Sequence, residues 1–221
     1  ELLNRKGGHA FRERDEEIIT YLAEQAAISI IKARLYDDQR NYEIHLTGLL
    51  IDAIDHHNEE KRGHAKRVAR YSTLIARGLH MSEEEQKRLY FASILHDVGF
   101  LKIQADDVFK KEEYLRHPVI GYEMIQPINF YADMAPLILH HHEHYDGNGY
   151  PAQLKEKDIP VESRIIAVAE AFDAMVSMNS YKVPVSYEAA LDELRRRAGS
   201  QFDPEMVDIF IAEMKPQYVE S

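Results

Sequence analysis

Two short runs of this chain carry side chains that packing alone explains poorly. Leu95-His96-Asp97-Val98-Gly99 sets an imidazole beside a carboxylate. Adjacent residues cannot share one helix face, but at a helix end the backbone splays them toward a common point. Imidazole nitrogen plus a carboxylate that can bridge suits first-row divalent metals. Taken alone, the pair reads more simply as an Asp capping backbone with an incidental His. The second run is His140-His141-His142-Glu143-His144-Tyr145-Asp146-Gly147-Asn148-Gly149-Tyr150-Pro151, with four histidines in five residues. Each buried imidazole needs hydrogen-bond partners, so such a cluster is costly unless it binds something. The Asp-Gly-Asn-Gly-Tyr-Pro that follows has the composition of a specific turn, unlike a low-complexity metal tract. Imidazoles delivered at a helix end and followed by a tight glycine loop read as a site.

Further candidates are dispersed. Glu60 and His64 lie four apart and stack on one helix face. His117 precedes Pro118. Glu170 stands inside the apolar helical run Ile165–Phe172, where a carboxylate is expensive to bury unless paired or metal-bound. Arg164 or Lys182 is the alternative partner.

Composition narrows the chemistry. The chain has 221 residues, 45% apolar and 29% charged, which is globular and large enough for a hydrophobic core. It has no cysteine, so thiolate metal sites and disulfides are excluded and any metal must be held by imidazole and carboxylate. Its twelve histidines are unevenly placed, and the formal charge is −11. A field of that sign disfavours coating a nucleic-acid polymer or an anionic membrane. No apolar run is long enough to span a bilayer and no signal peptide opens the chain, so a cytoplasmic protein is expected.

The elements that must position these residues read as helices, and the fold class expected is all-α. The stretch from Gly8 to Gly48 lacks internal glycine and proline and predicts a long helix. Ile19, Leu22, Ala26, Ser29, Ala33 and Tyr36 recur along it at spacings of three and four. That seam fits a helix pair between two subunits or packing on its own domain equally well. Further helices are expected over His64–Gly78, from the capping box Ser82–Glu85 toward His96, and over Val119–Ile125, Met134–His142 and Val161–Met178. Another runs from Ser186 to near Gly199, and the last opens at Asp203-Pro204. Gly99 to Pro118 reads as loop-rich, with strand remnants only at the extreme N-terminus.

From about Thr47 onward, over roughly four-fifths of its length, the chain resembles the HD-GYP family of HD metal-dependent phosphohydrolases. The likeness rests on His96-Asp97-Val98-Gly99, His141-His142-Glu143, Asp146 to Pro151, Ile159-Pro160, Arg164-Ile165-Ile166, Ala171-Phe172-Asp173-Ala174-Met175 and Gln201-Phe202-Asp203-Pro204. It implies an HD-type helical bundle over 47–221, a connecting helix over 15–46, and in 1–14 the end of a GAF-like sensory domain. It implies bacterial signalling by hydrolysis of cyclic di-GMP to linear pGpG or GMP, with two or three divalent metals, iron or manganese. The implied ligands are Glu60, His64, His96, Asp97, His117, His141, His142 and Glu170, with His96 and Asp97 at the catalytic centre. Gly149, Tyr150, Pro151, Tyr181 and Lys182 would meet substrate, and Glu143 or Asp146 would orient imidazoles from behind. The long helix would pair two subunits, and the Gly-Tyr-Pro loop offers a face for other signalling proteins. His9, His45, His56, His57 and His80 are left as surface or packing residues.

The chain departs from the family pattern at three places. Phe100 stands where the family usually has Lys, Asn179 where it tends to have Arg, and Glu170 where it has Asp. A charge-assisted contact to phosphate contributes roughly 1.5–3 kcal/mol, so the first two changes weaken the substrate clamp. Besides a cyclic di-GMP phosphodiesterase, two outcomes stay open at this point. One is action on another cyclic dinucleotide, and the other is a degenerate module that binds metal and ligand or partner without efficient hydrolysis.

Overall fold

Local chemistry sets the helix starts. The computed structural model describes residues 12–57, 61–104, 110–178 and 183–219, with 215–219 by backbone alone. Ser82 and Glu85 form the expected reciprocal capping box, with the Glu85 carboxylate accepting from the Ser82 amide at 2.8 Å. Ser186 caps its helix by accepting from the Ala189 amide at 3.2 Å, and Asp203 accepts from the Glu205 amide at 2.9 Å. In chain order the helices are α1 (Glu13–His57), α2 (His64–Gly78), α3 (Glu83–Leu95), α4 (Lys111–Tyr114), α5 (His117–Ile125), α6 (Ala135–Leu139), α7 (Val161–Val176), α8 (Tyr187–Arg197) and α9 (Pro204–Val219). Short 3₁₀ turns cover Val98–Lys102 and Glu156–Asp158. Among the described residues no strand forms beyond an isolated bridge between Ala198 and Phe202, so the fold is all-α.

The chain divides into two units, Glu1–Leu46 and Thr47–Ser221. The described part of the first is helical and open to solvent. Of the seam residues, Ile19 is half-buried and Leu22, Ala26, Ser29, Ala33 and Tyr36 are exposed. Ile18, Tyr21, Ile28, Ile31 and Leu35 are exposed beside them. No described helix is long and apolar enough to cross a membrane.

In the second unit, α2 packs against α3, α7 and α9. Val68, Ile75, Leu89, Ile94, Ile138, Ile165, Phe172 and Phe210 fill the core. Thr47, Ile51 and Ile54 of α1 are buried, and the Thr47 and Tyr131 hydroxyls hydrogen-bond each other. Two charged pairs clip α7 in place. Arg88 of α3 holds Glu162, and Arg164 holds the α9-capping Asp203. Arg164 is therefore not the partner of Glu170.

Several boundaries differ from expectation. α1 runs on past residue 46 to His57, because Gly48 is tolerated inside a helix that gains tertiary contacts there. α6 stops at Leu139 instead of His142, so the histidines follow the helix in turns. The stretch from Gly99 to Pro118 holds a 3₁₀ turn and α4. The GAF-like remnant and the strand remnants fall mostly or wholly in 1–11, outside the described residues, as does His9.

Candidate metal centre

The ends of α3 and α6 and the starts of α2 and α5 converge on one buried point. His96 caps the C-terminus of α3, and Asp97 leads directly into the 3₁₀ turn, which is the helix-end arrangement a chelating His-Asp pair requires. A Cβ on Gly99 would stand 2.0 Å from the His117 carbonyl oxygen and 2.8 Å from the Gly121 amide. Only glycine lets α5 approach this closely, and the approach brings His117 over Asp97. His64, His96, Asp97, His117 and His141 are all buried.

The imidazoles are aimed by their far nitrogens. Nδ1 of His96, His117 and His141 lies 2.7, 2.6 and 2.5 Å from the carbonyl oxygens of Ser93, Tyr114 and Ile138. A carbonyl only accepts, so each Nδ1 donates and each Nε2 carries a lone pair toward the centre. Nδ1 of His64 donates to the Asp173 carboxylate at 2.7 Å, and Arg67 holds the same carboxylate through Nε at 2.7 Å.

These lone pairs converge into two groups. His64, His96 and Asp97 form one, and His117, His141 and His142 the other. Asp97 faces both. Its Oδ1 lies 3.5 Å from Nε2 of His96 and of His117, and its Oδ2 lies 3.8 Å from Nε2 of His64. Nε2 of His64, His96 and His142, together with Asp97 Oδ1, are buried with no hydrogen-bond partner. Nε2 of His117 and of His141 face each other at 3.2 Å, although each ring already spends its proton on a carbonyl. Two opposed lone pairs at that distance repel unless a cation lies between or beside them. The donor set therefore fits divalent metal ions, and the imidazole–carboxylate chemistry suits first-row ones.

Protonation states favour the same reading. Burial pushes His117 down to about 3 and His141 down to about 4, so both are neutral at physiological pH. Burial likewise holds His142 well below its ordinary value. For Asp97, burial alone would raise the carboxyl, but His96, Lys61, His117 and His64 around it outweigh burial and keep it ionised. Asp173 behaves similarly, with hydrogen bonds from His64 and Arg67 outweighing burial.

Glu170 stands beside this centre, its Oε2 4.0 Å from His142 Nδ1. It lines a cleft with His141, His142, His144 and Gln201. The Gly-Tyr-Pro loop closes over His142. Tyr150 donates its amide to the His142 carbonyl at 3.2 Å, and its ring stacks on the imidazole with centroids 4.9 Å apart. Gly149 is buried so tightly that a Cβ would stand 2.1 Å from the His144 amide nitrogen. Pro151 follows a cis peptide bond and is exposed.

The two expected supporting carboxylates make their hydrogen bonds within the loop. Glu143 also stands beside one imidazole, its Oε1 3.5 Å from His140 Nδ1. It accepts from the amides of Ala152 at 2.7 Å and Leu154 at 3.1 Å, and so fastens the loop. Asp146 accepts from the Asn148 amide at 3.0 Å and shapes the turn. The orienting carboxylate is Asp173, which the sequence reading quoted without a role. Lys61, with Nζ 2.9 Å from Asp97 Oδ2, was not singled out either. Glu60, Tyr181, Lys182 and Asn179 lie outside the described residues.

A family model described as HD domain matches residues 48–206, which include every described residue of this centre. The chain belongs to the HD domain family. Among HD relatives, the cyclic di-GMP phosphodiesterase response regulator RpfG of Xanthomonas campestris pv. campestris is 38% identical over 173 residues, 73% of this chain and 46% of that protein. A cyclic di-GMP phosphodiesterase of Thermotoga maritima is 32% identical, over 96% of this chain and 62% of that one. The crystal structure of a cyclic GMP-AMP specific phosphodiesterase of Vibrio cholerae, V-cGAP3, matches with a TM-score of 0.62 at 26% identity, covering 80% of this chain and 48% of that one. This chain thus spans about half the length of the HD proteins it resembles.

Proposed function

We propose that this chain is a two-metal phosphodiesterase that opens cyclic di-GMP to linear pGpG or GMP, with iron or manganese as the resident metals. One observation carries the reading: a single ionised carboxylate, Asp97, faces two separate clusters of buried imidazole lone pairs. Divalent cations bound there would supply Lewis-acid charge to the phosphodiester and acidify a water near neutral pH. The protein's own part is to hold His64 and His96 on one side of Asp97 and His117, His141 and His142 on the other. Asp173 and three backbone carbonyls fix the rings. Glu170 lies close enough to His142 to complete the second cluster from α7. Glu60, four residues before His64, is the natural donor for a third metal. Gly149 and Tyr150 form the wall beside His142 on which a guanine base can lie, with Pro151, Tyr181 and Lys182 as further substrate contacts. The exposed apolar residues of α1 support pairing of two copies, and the Gly-Tyr-Pro loop offers a face to signalling partners. A cytoplasmic setting suits an enzyme that acts on an intracellular second messenger.

The test is direct. Protein purified under low oxygen is assayed for iron, manganese and zinc, and cyclic di-GMP is followed by chromatography with each metal. Expected products are pGpG or GMP, with metal and turnover both lost in Asp97→Ala. Stoichiometric metal without either product under any metal condition overturns the reading. A second substrate, 3′3′-cyclic GMP-AMP, belongs in the same assay, because a Vibrio cholerae relative named for it aligns with this chain at 29% identity.

A further inference from the structure

Position 100 cannot grip a phosphate. Phe100 is buried, and its ring stacks on His117 with centroids 4.1 Å apart and planes 16° apart. A cation nevertheless sits at this spot. Lys61 places Nζ 5.0 Å from the centre of the Phe100 ring and 2.9 Å from Asp97 Oδ2. Its side chain keeps 22% exposure against 2% for Asp97, so the lysine borders solvent while its ammonium reaches the buried centre.

Its present partner is one it must share. Asp97 Oδ2 is the oxygen that faces His64 across 3.8 Å, and a cation bound by His64, His96 and Asp97 would draw on that oxygen. Two positive charges on one carboxylate oxygen repel, and the ammonium is the one with a flexible stem and a route to solvent. Once metal is bound, Lys61 needs another anion within a few ångströms of Asp97. A phosphodiester drawn to the metals brings one there.

We propose that Lys61 is the substrate-contacting cation of this site. In the metal-free protein it neutralises Asp97, and in the loaded protein it holds a non-bridging phosphate oxygen from the loop before α2. Position 100 then needs no positive charge. This inference rests on the phosphodiesterase reading of the same centre.

Lys61→Met and Lys61→Arg are compared with the unmodified chain in three measurements. These are Mn²⁺ binding to metal-free protein, binding of inorganic phosphate to Mn²⁺-loaded protein, and KM and kcat for cyclic di-GMP. Lys61→Met is expected to bind Mn²⁺ at least as tightly as the unmodified chain, because a competitor has left Asp97. It is also expected to bind phosphate ten- to a hundredfold more weakly and to raise KM by a similar factor. Lys61→Arg should restore most of both losses. Unchanged phosphate binding in Lys61→Met overturns the proposal. Loss of Mn²⁺ binding also overturns it, since the ammonium would then be holding the centre together. Absence of turnover in the unmodified chain counts against the phosphodiesterase reading instead, while the phosphate comparison still decides the role of Lys61.

Discussion

His64 of α2 and Asp173 of α7, 109 residues apart in sequence, meet with Nδ1 2.7 Å from Oδ2 at a site closed to solvent. The contact fixes the tautomer of a ring whose other nitrogen faces Asp97. Such outer carboxylates typically govern metal affinity by 10–100-fold. Asp173→Asn keeps the shape but leaves one acceptor oxygen for the donors of both His64 and Arg67, and loses the negative charge. We expect Mn²⁺ affinity to fall by about that factor, with the helical circular dichroism unchanged. Equilibrium dialysis of metal-free protein measures it, and an unaltered affinity would show that His64 does not depend on this partner.

Acid should destabilise the metal-free protein in a defined window. His117 titrates at about 3 and His141 at about 4 in the fold, against about 6.5 when unfolded. Between those values the unfolded chain binds protons that the native protein refuses. Stability is therefore full above about pH 6.5 and falls as pH drops toward 4 and then 3. At 1.36 kcal/mol per pH unit each ring accounts for roughly 3 to 5 kcal/mol across its window. Urea midpoints of metal-free protein at pH 7.5, 6.0 and 5.0 should decline in that order, and Mn²⁺ should offset the decline at the upper end, where the ligands are still deprotonated. A flat profile would mean that these imidazoles are not buried in neutral form.

Glu143 carries a different expectation, because its hydrogen bonds go to the loop. Glu143→Gln weakens two charge-assisted bonds to the amides of Ala152 and Leu154. The cost should be about 1–3 kcal/mol. Amide hydrogen exchange should quicken at 152 and 154, with Mn²⁺ affinity within a few-fold of the parent. Loss of metal without faster exchange would place Glu143 among the ring-orienting groups after all.

Restoring a family-like lysine at position 100 should not help. Phe100→Lys removes a ring stacked on His117 and puts a second ammonium near the one Lys61 already supplies. We expect Mn²⁺ affinity on the order of tenfold lower and no gain in kcat/KM. Increased turnover would identify position 100 as the place where charge is lacking.

The residues that can be read from sequence are those that announce themselves locally. His96-Asp97 and His141-His142 stand at helix ends, and the caps at Ser82, Ser186 and Asp203 match their helices. A carboxylate inside an apolar run marks Asp173 as strongly as Glu170, and the three-residue spacing puts both on one face of α7. Only the bundle reveals which of them backs His64 and which stands by His142. Lys61 gives no signal, since a lysine in a charged loop normally means solvent, and only the packing of that loop on Asp97 makes it unusual. The role of Glu143 was hidden because its partners are backbone amides, which no residue type advertises. The end of α6 was misplaced because histidine propensity does not distinguish a last helical turn from the turns after it.

Three of the rings obey one rule: each donates to the carbonyl three residues behind it, His96 to Ser93, His117 to Tyr114 and His141 to Ile138. Tautomer is thus encoded in segments of four residues, while the spacing between rings is encoded in how whole helices dock. The two properties can be altered separately. A core substitution that shifts α5 or α6 by a few tenths of an ångström changes the gap offered to a cation but leaves every lone pair pointing inward. This protein can therefore drift in the ionic radius it prefers without ever losing its capacity to ligate.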